Sequence, residues 1–297
     1  MAHPAPVEKP VTRATLLVLA SACCFGSIGI LITIATARGA PLVEVLAWRY
    51  LIAAALLVAV SGGPFELRSA GGRAWPLIIL AGGGQAAIAF VSLSALRFIP
   101  AASLTFLFYT YPAWVAIIAA IRGTEPMTAR RAGALALSLV GLGLMIGMPG
   151  AGGINPIGAV LALSSALLYA MYIPMINHLG RALQPAVTST FAAGGAGLIF
   201  LVAAAMNGGP SVHYPAVAWL SILLLAVVST VLAFIAFLRG LAVIGPVRTA
   251  IVSTVEPFWT ALLGAVVLNQ QLGIRTLLGG GLIAAAVILL QLGHRTD

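Results

Sequence analysis

The chain has 297 residues, of which 61% are hydrophobic and 7% charged, whereas a water-soluble domain of average make-up is about half apolar and about a quarter charged. A water-soluble globule is excluded. A membrane-crossing helix uses about 20 apolar residues, and with about 10 for each connection this length holds on the order of ten crossings and almost nothing else.

The charged residues exclude several chemistries by type. Lys9 is the only lysine and Asp297 the only aspartate. A phosphate-loop motor and a Schiff-base enzyme both need a suitably placed lysine, and an intramembrane aspartyl pair needs two aspartates. His3, His178, His213 and His294 lie near segment ends without an H-E-x-x-H spacing, so no zinc site of that type is expected, and no other cofactor is called for. The formal net charge of +9 comes from basic residues scattered singly between apolar segments, which gives no nucleic-acid-binding stripe.

Uninterrupted apolar windows predict helices at 15–36, 42–61, 75–96, 101–121, 131–148, 156–177, 186–206, 217–238, 246–268 and 276–293. The first contains Ala20-Ser-Ala22, passable as a signal-peptidase site, but the apolar run continues past it and is expected to stay as a helix. Adjacent Cys23 and Cys24 read as small core residues, and Phe25 follows them. The second helix carries Glu44 near one end and Trp48-Arg49-Tyr50 near its middle. Gln85 lies in the third, and Tyr109 and Tyr111-Pro112 in the fourth. The fifth has Gly133, Gly141, Gly143 and Gly147, which permit close approach of another helix within the monomer. Tyr169 and Tyr172 lie in the sixth, and the ninth holds Arg248 near one end and Glu256-Pro257 near its centre. Gly, Pro and Asn punctuate the links, as in Asn207-Gly-Gly-Pro210.

With the N-terminus in the cytoplasm, Lys9, Arg13, Arg68, Arg73, Arg122, Arg130, Arg131, Arg181, Arg239 and Arg295 fall inside and only Arg38, Arg97 and Arg275 outside. Basic residues are retained on the cytoplasmic side. Both termini are therefore expected there.

The sequence also repeats. Leu17, Leu19, Ala22, Pro41 and Val43 align with Leu161, Leu163, Ala166, Pro185 and Val187, with Phe25 opposite Tyr169. Further on, Leu96-Arg97 pairs with Leu238-Arg239, and Pro112-Ala-Trp114-Val-Ala116 with Pro257-Phe-Trp259-Thr-Ala261. The expected halves are 1–148 and 149–297, with five helices each. Five is odd, so the second half enters the membrane from the opposite side, the inverted-repeat architecture of many secondary transporters.

Phe25-Gly26-Ser27, Trp48-Arg49-Tyr50, Pro112 and the link Gly123-Thr-Glu125-Pro-Met-Thr128 followed by Gly133 resemble the EamA group of the drug/metabolite transporter superfamily. The second half departs from the pattern, since Gln270-Gln271 stands in the place of Glu125. The resemblance implies an all-α membrane protein of ten helices in a bacterial inner membrane. It implies transport of small metabolites, amino acids first, without a nucleotide motor; some relatives exchange nucleotide sugars or triose phosphates.

Ionisable groups inside a membrane helix cost about 2.5–3.5 kcal/mol each and need a partner or a wet cavity. Arg49 offers a planar fork to a substrate carboxylate, or ties helices through a carbonyl or Glu256; Trp48 covers an apolar part of the substrate, or belongs to an interfacial belt. Glu256 sits beside a proline that frees a backbone carbonyl, and its pairing with Arg49 suits a zwitterion: carboxylate to Arg49, amine to Glu256. It is also the candidate proton carrier, so proton coupling is an expectation. Phe25, Gln85, Tyr109, Tyr111, Tyr169 and Tyr172 are expected around the same cavity. Pro112 and Pro257 would be the pivots, with Glu44 and Arg248 in structural or gating roles at the outer and inner ends. Solute and bilayer are the partners expected; no oligomer is required. Drug efflux stays open, and an intramembrane enzyme is disfavoured because no central histidine or base accompanies serines such as Ser164 and Ser165.

Overall fold

The computed structural model describes residues 8–146, 155–269 and 271–292, and the regular elements among them are all helical. They begin with α1 (Glu8–Gly26), α2 (Ile28–Ala37) and α3 (Leu42–Val60). A 3-10 stretch (Glu66–Arg73) then leads to the single turn α4 (Ala74–Pro76), which continues through a π-helical turn (Leu77–Gly82) into α5 (Gly83–Ala95). Next come α6 (Ala101–Phe108), α7 (Tyr111–Ile121), α8 (Ala129–Ile146), α9 (Pro156–Leu179) and α10 (Pro185–Ala205). Finally α11 (Ala216–Ala226) passes through a second π-helical turn (Val227–Leu232) into α12 (Ala233–Ser253), followed by α13 (Val255–Leu268) and α14 (Ile274–Leu292).

Eight segments among the described residues are long and apolar enough to cross a membrane: Pro10–Ala37, Leu42–Val60, Glu66–Ala95, Ser103–Ile121, Pro156–Leu179, Pro185–Ala205, Ala216–Ser253 and Ile274–Gln291. Two predicted helices stand apart from these. The helix predicted at 131–148 is α8, which opens on Ala129-Arg130-Arg131. That predicted at 246–268 is split between the end of α12 and the 14-residue α13. The loop predicted between 238 and 246 is replaced by a kink at Gly245 (φ 77°, ψ 167°), a conformation open to glycine, after which Pro246 restarts the helix without needing an N–H acceptor. The predicted boundary at 148, Gly147, Gln270 and Arg295 lie outside the described residues.

Three helices are interrupted. At Ser27, between α1 and α2, the side-chain hydroxyl donates to the Cys24 carbonyl (2.6 Å). Between α6 and α7 the hydrogen bonding shifts at Thr110, whose N–H reaches the Leu107 carbonyl, and between α12 and α13 at Thr254, whose N–H reaches that of Ile251, each only three residues back. The prolines explain the last two. Pro112 and Pro257 cannot donate to the carbonyls of Phe108 and Ser253, so the expected bends are places where one helix ends and another begins.

Helices of the two halves lie along each other in pairs, α3 with α10, α8 with α14 and α1 with α12. Small residues bring the backbones together: a β-carbon on Gly141 would sit 2.6 Å from the Gly279 carbonyl oxygen, and one on Gly82 at 2.6 Å from the Gly195 Cα. Gly141 thus packs inside the monomer, as its spacing predicts. Gly141→Ala is expected to destabilise the protein by about 1–3 kcal/mol, because the methyl meets backbone. Gly281→Ala, with nothing within 4 Å of the added carbon, is expected to be neutral or stabilising by up to about 1 kcal/mol. Thermal unfolding of the two purified variants checks this.

Candidate functional site

The interruptions at Ser27 and Thr254 meet. Gly26 on α1 faces α13 so closely that a β-carbon there would lie 2.9 Å from the Glu256 carbonyl oxygen, and Thr260 Oγ1 donates to the Gly26 carbonyl (2.9 Å). On the other side the Tyr111 and Tyr169 rings touch edge to face, 4.7 Å between centroids. Between these crossings lies a cavity of about 300 Å³. Its wall is aromatic, with Phe25, Tyr50, Phe108, Tyr169, Tyr172, Phe234 and Phe237 around it, and its polar groups include Arg49, Gln85, Ser92 and Glu256.

Of the residues proposed from sequence, Phe25, Arg49, Gln85, Tyr169, Tyr172 and Glu256 line this one cavity. Tyr109 and Tyr111 stand behind the wall, both buried, with Phe108 between their rings and the space. The Tyr109 hydroxyl hydrogen-bonds the Glu256 carboxylate, and that of Tyr111 donates to the Ala250 carbonyl (3.4 Å).

Arg49 is 3% exposed. Its Nε donates to Thr230 Oγ1 (2.8 Å) and its Nη2 to the Ser229 carbonyl (3.1 Å), while the guanidinium carbon lies 4.8 Å from the Tyr50 ring centre. The acceptors come from the π-helical turn at Val227–Leu232, a geometry often found at functional sites. One edge of the fork is therefore held by the protein. Arg49 and Glu256, both described residues, share the cavity without an ion pair between them, so the tie foreseen as one alternative is made to a carbonyl and a hydroxyl. Ser229-Thr230 was visible in sequence as the polar pair in Val-Val-Ser-Thr-Val-Leu, and Tyr50 as the neighbour of Arg49; neither is a predicted site residue.

Trp48 and Glu44 face elsewhere. Trp48 Nε1 donates to the Ser211 carbonyl (3.0 Å), and its ring packs on Trp219 at 5.4 Å. Glu44 accepts from the Ser211 N–H (2.6 Å) and the Tyr214 hydroxyl. Together they fasten the link after α10 to the start of α3. Burial, then the bond to Glu44, pushes the Tyr214 hydroxyl up to about 12. Trp48 is thus placed away from the cavity, because its indole N–H is taken by a loop carbonyl. Arg248 is partly buried just past the Gly245 kink and is not among the cavity-lining residues. Near that kink, Glu125 pairs with Arg131 (3.0 Å) and accepts from the Val247 N–H (3.3 Å), so a link of the first half caps a helix of the second.

The sequence model of the EamA-like transporter family matches the chain twice, over residues 12–147 and 156–292. The chain belongs to the EamA-like transporter family. This family member is 33% identical over 132 residues to the "Uncharacterized transporter YcbK" of Bacillus subtilis (strain 168). That match covers 43% of this chain and 42% of the relative, so it spans less than half of the relative's length. A solved structure described as "Crystal structure of protein" superposes with a TM-score of 0.80 over 96% of the EamA-like chain and 98% of its own, at 20% identity, a likeness of fold.

Proposed function

We propose that the protein is a secondary transporter that carries small organic solutes through the central cavity by alternating access. The observation that carries this reading is the placement of Arg49, Glu256 and an aromatic wall in one cavity between interrupted helices. Two matches to one family model support two related halves. In the full proposal the halves, 1–148 and 149–297, are inverted sets of five, giving ten crossings in an inner membrane with both termini in the cytoplasm. Pro112 and Pro257 mark the pivots, and Glu44 and Arg248 lie outside the solute site in positions to serve as gates.

Amino acids are the first substrates proposed, with the amine at Glu256, the side chain on the aromatic rings and the carboxylate at the part of Arg49 not engaged by Thr230 and Ser229. The solute exchanges with a proton at Glu256. A second reading, efflux of apolar amines, is favoured by the mostly aromatic wall and by the engagement of one edge of Arg49. Phosphorylated solutes fit less well, since Arg49 is the one cation among the described lining residues.

The test is flux into proteoliposomes of the purified full chain. A panel of radiolabelled aliphatic, aromatic and polar amino acids is measured with and without a pH gradient. At least one amino acid is expected to exceed protein-free liposomes, and faster with the gradient. Movement of phenethylamine but no amino acid selects the second reading; no movement of either sinks the transporter assignment.

A further inference from the structure

A second cavity, of about 200 Å³, lies between α9, α10 and α12 and is lined by Asn177, Arg181, Thr188, Ile176 and Leu238 among others. Ile176 and Leu238 line the central cavity as well, so these two side chains partition one space from the other.

Thr188 is the unusual member. It is 1% exposed, and its hydroxyl has no hydrogen-bond partner among the described residues. A threonine inside a helix ordinarily donates to the carbonyl one turn back, as Thr190 does to Ala186 (2.8 Å) and Thr105 to Ala101 (2.9 Å). Thr188 does not, although the Gln184 carbonyl one turn back accepts its own backbone N–H (3.1 Å). A buried hydroxyl left without a partner is costly, and a ligand oxygen in the adjoining cavity removes that cost.

The full charge of Arg181 sets the charge of the ligand, because the positive half-charge at the start of α10 is opposed by the negative one at the end of α9, whose Asn177 and Gly180 line the same cavity. α10 is 21 residues long; its N-cap, Gln184, makes no side-chain capping bond, and Pro185 occupies the start. The N–H groups of the first turn have no carbonyl one turn back within the helix, and the helix dipole places positive potential there. The chain reaches this point through Ala182 in the left-handed region (φ 67°), a turn held by Arg73, whose Nη1 donates to the Arg181 carbonyl (2.5 Å). Arg181 also lines two neighbouring cavities, of about 370 and 540 Å³, shared with His178. The acid nearest in that group, Glu125, is occupied by Arg131 and the Val247 N–H.

We propose that this cavity is an oxyanion site, in which a carboxylate or phosphate group is held by Thr188, Asn177 and Arg181 at the N-terminus of α10, next to the Ile176 and Leu238 partition. The group belongs either to a solute waiting to enter the central cavity or to the headgroup of an anionic lipid. The site does not depend on which solute the central cavity carries.

The test uses the purified full chain in detergent, with unfolding midpoints followed as sodium acetate, sodium phosphate or short-chain phosphatidylglycerol replaces chloride or phosphatidylcholine at constant ionic strength. The wild type is expected to gain stability along a saturable curve. Thr188→Val and Arg181→Gln should each need about tenfold more anion, the usual cost of losing one charge-assisted or buried hydrogen bond. Without added anion, Thr188→Val should unfold at a higher temperature than the wild type, since the hydroxyl it removes has no partner. Arg97→Gln, exposed and not among the residues lining the cavity, should titrate as the wild type does. A response to acetate or phosphate assigns a solute group; a response to phosphatidylglycerol alone assigns a lipid headgroup. No saturable response of the wild type to any of the three, or wild-type titration curves for both Thr188→Val and Arg181→Gln, overturns the proposal.

Discussion

Glu256→Gln is expected to lower gradient-driven flux at least about tenfold while leaving the unfolding temperature within a few degrees of the wild type. Glutamine keeps the volume of the side chain and a carbonyl that accepts from Tyr109, so packing in the first turn of α13 should survive. What it removes is the one acidic group among the described residues that line the central cavity. An amine held by a carboxylate in a low-dielectric space gains a charge-assisted contact that a neutral amide supplies at roughly half the strength or less. Under the proposed exchange, proton coupling is lost altogether, because an amide does not titrate. Proteoliposome flux with and without a pH gradient, beside a melting curve, separates the two effects. Wild-type flux from the glutamine variant would remove Glu256 from the transport site.

Arg49→Lys is expected to behave in the opposite way, with stability falling first. Two interhelical bonds from the guanidinium, to Thr230 Oγ1 and to the Ser229 carbonyl, join α3 to the π-helical turn. An ammonium is a single point on a flexible stem and cannot reproduce a fork. Each interhelical bond in a membrane protein is worth about 0.6 kcal/mol on average and up to about 1.7, so the lysine variant should lose about 1–2 kcal/mol. Arg49→Ala also leaves a void in a buried position, and its loss should reach about 3–4 kcal/mol. Detergent unfolding curves of both variants give the measurement. Lysine and alanine variants as stable as the wild type would mean that the guanidinium bears no structural load, and would return Arg49 wholly to the solute.

The sequence was informative where hydrophobicity and the bilayer act together. Helix positions followed from apolar runs, and the repeat was detectable because Pro-x-Trp-x-Ala recurs in both copies. Six residues chosen for polarity or aromaticity at depth, including Arg49, Glu256 and Tyr169, line one cavity for the same reason. Less legible was anything decided by direction around a helix axis. Trp48 and Arg49 are neighbours in sequence, yet one faces a loop and Trp219 and the other the cavity. In a helix apolar on nearly all sides, no polar face says which way each points. The partners of Arg49 were also hidden, because a carbonyl exposed by a π-helical turn has no residue code of its own. Gly245 shows the same limit: seven residues that read as a loop hold a helix broken at one glycine.

The carbonyls released by Pro112 and Pro257 have a consequence for how such a protein diversifies. They belong to the main chain, and no exchange of the side chains at Phe108 or Ser253 removes them. A lineage can therefore replace the rings around the cavity one by one, refitting it to new solutes, while these main-chain acceptors persist unchanged. Specificity becomes the variable layer and the polarity beneath it an inheritance. Only mutation of the prolines themselves would withdraw it.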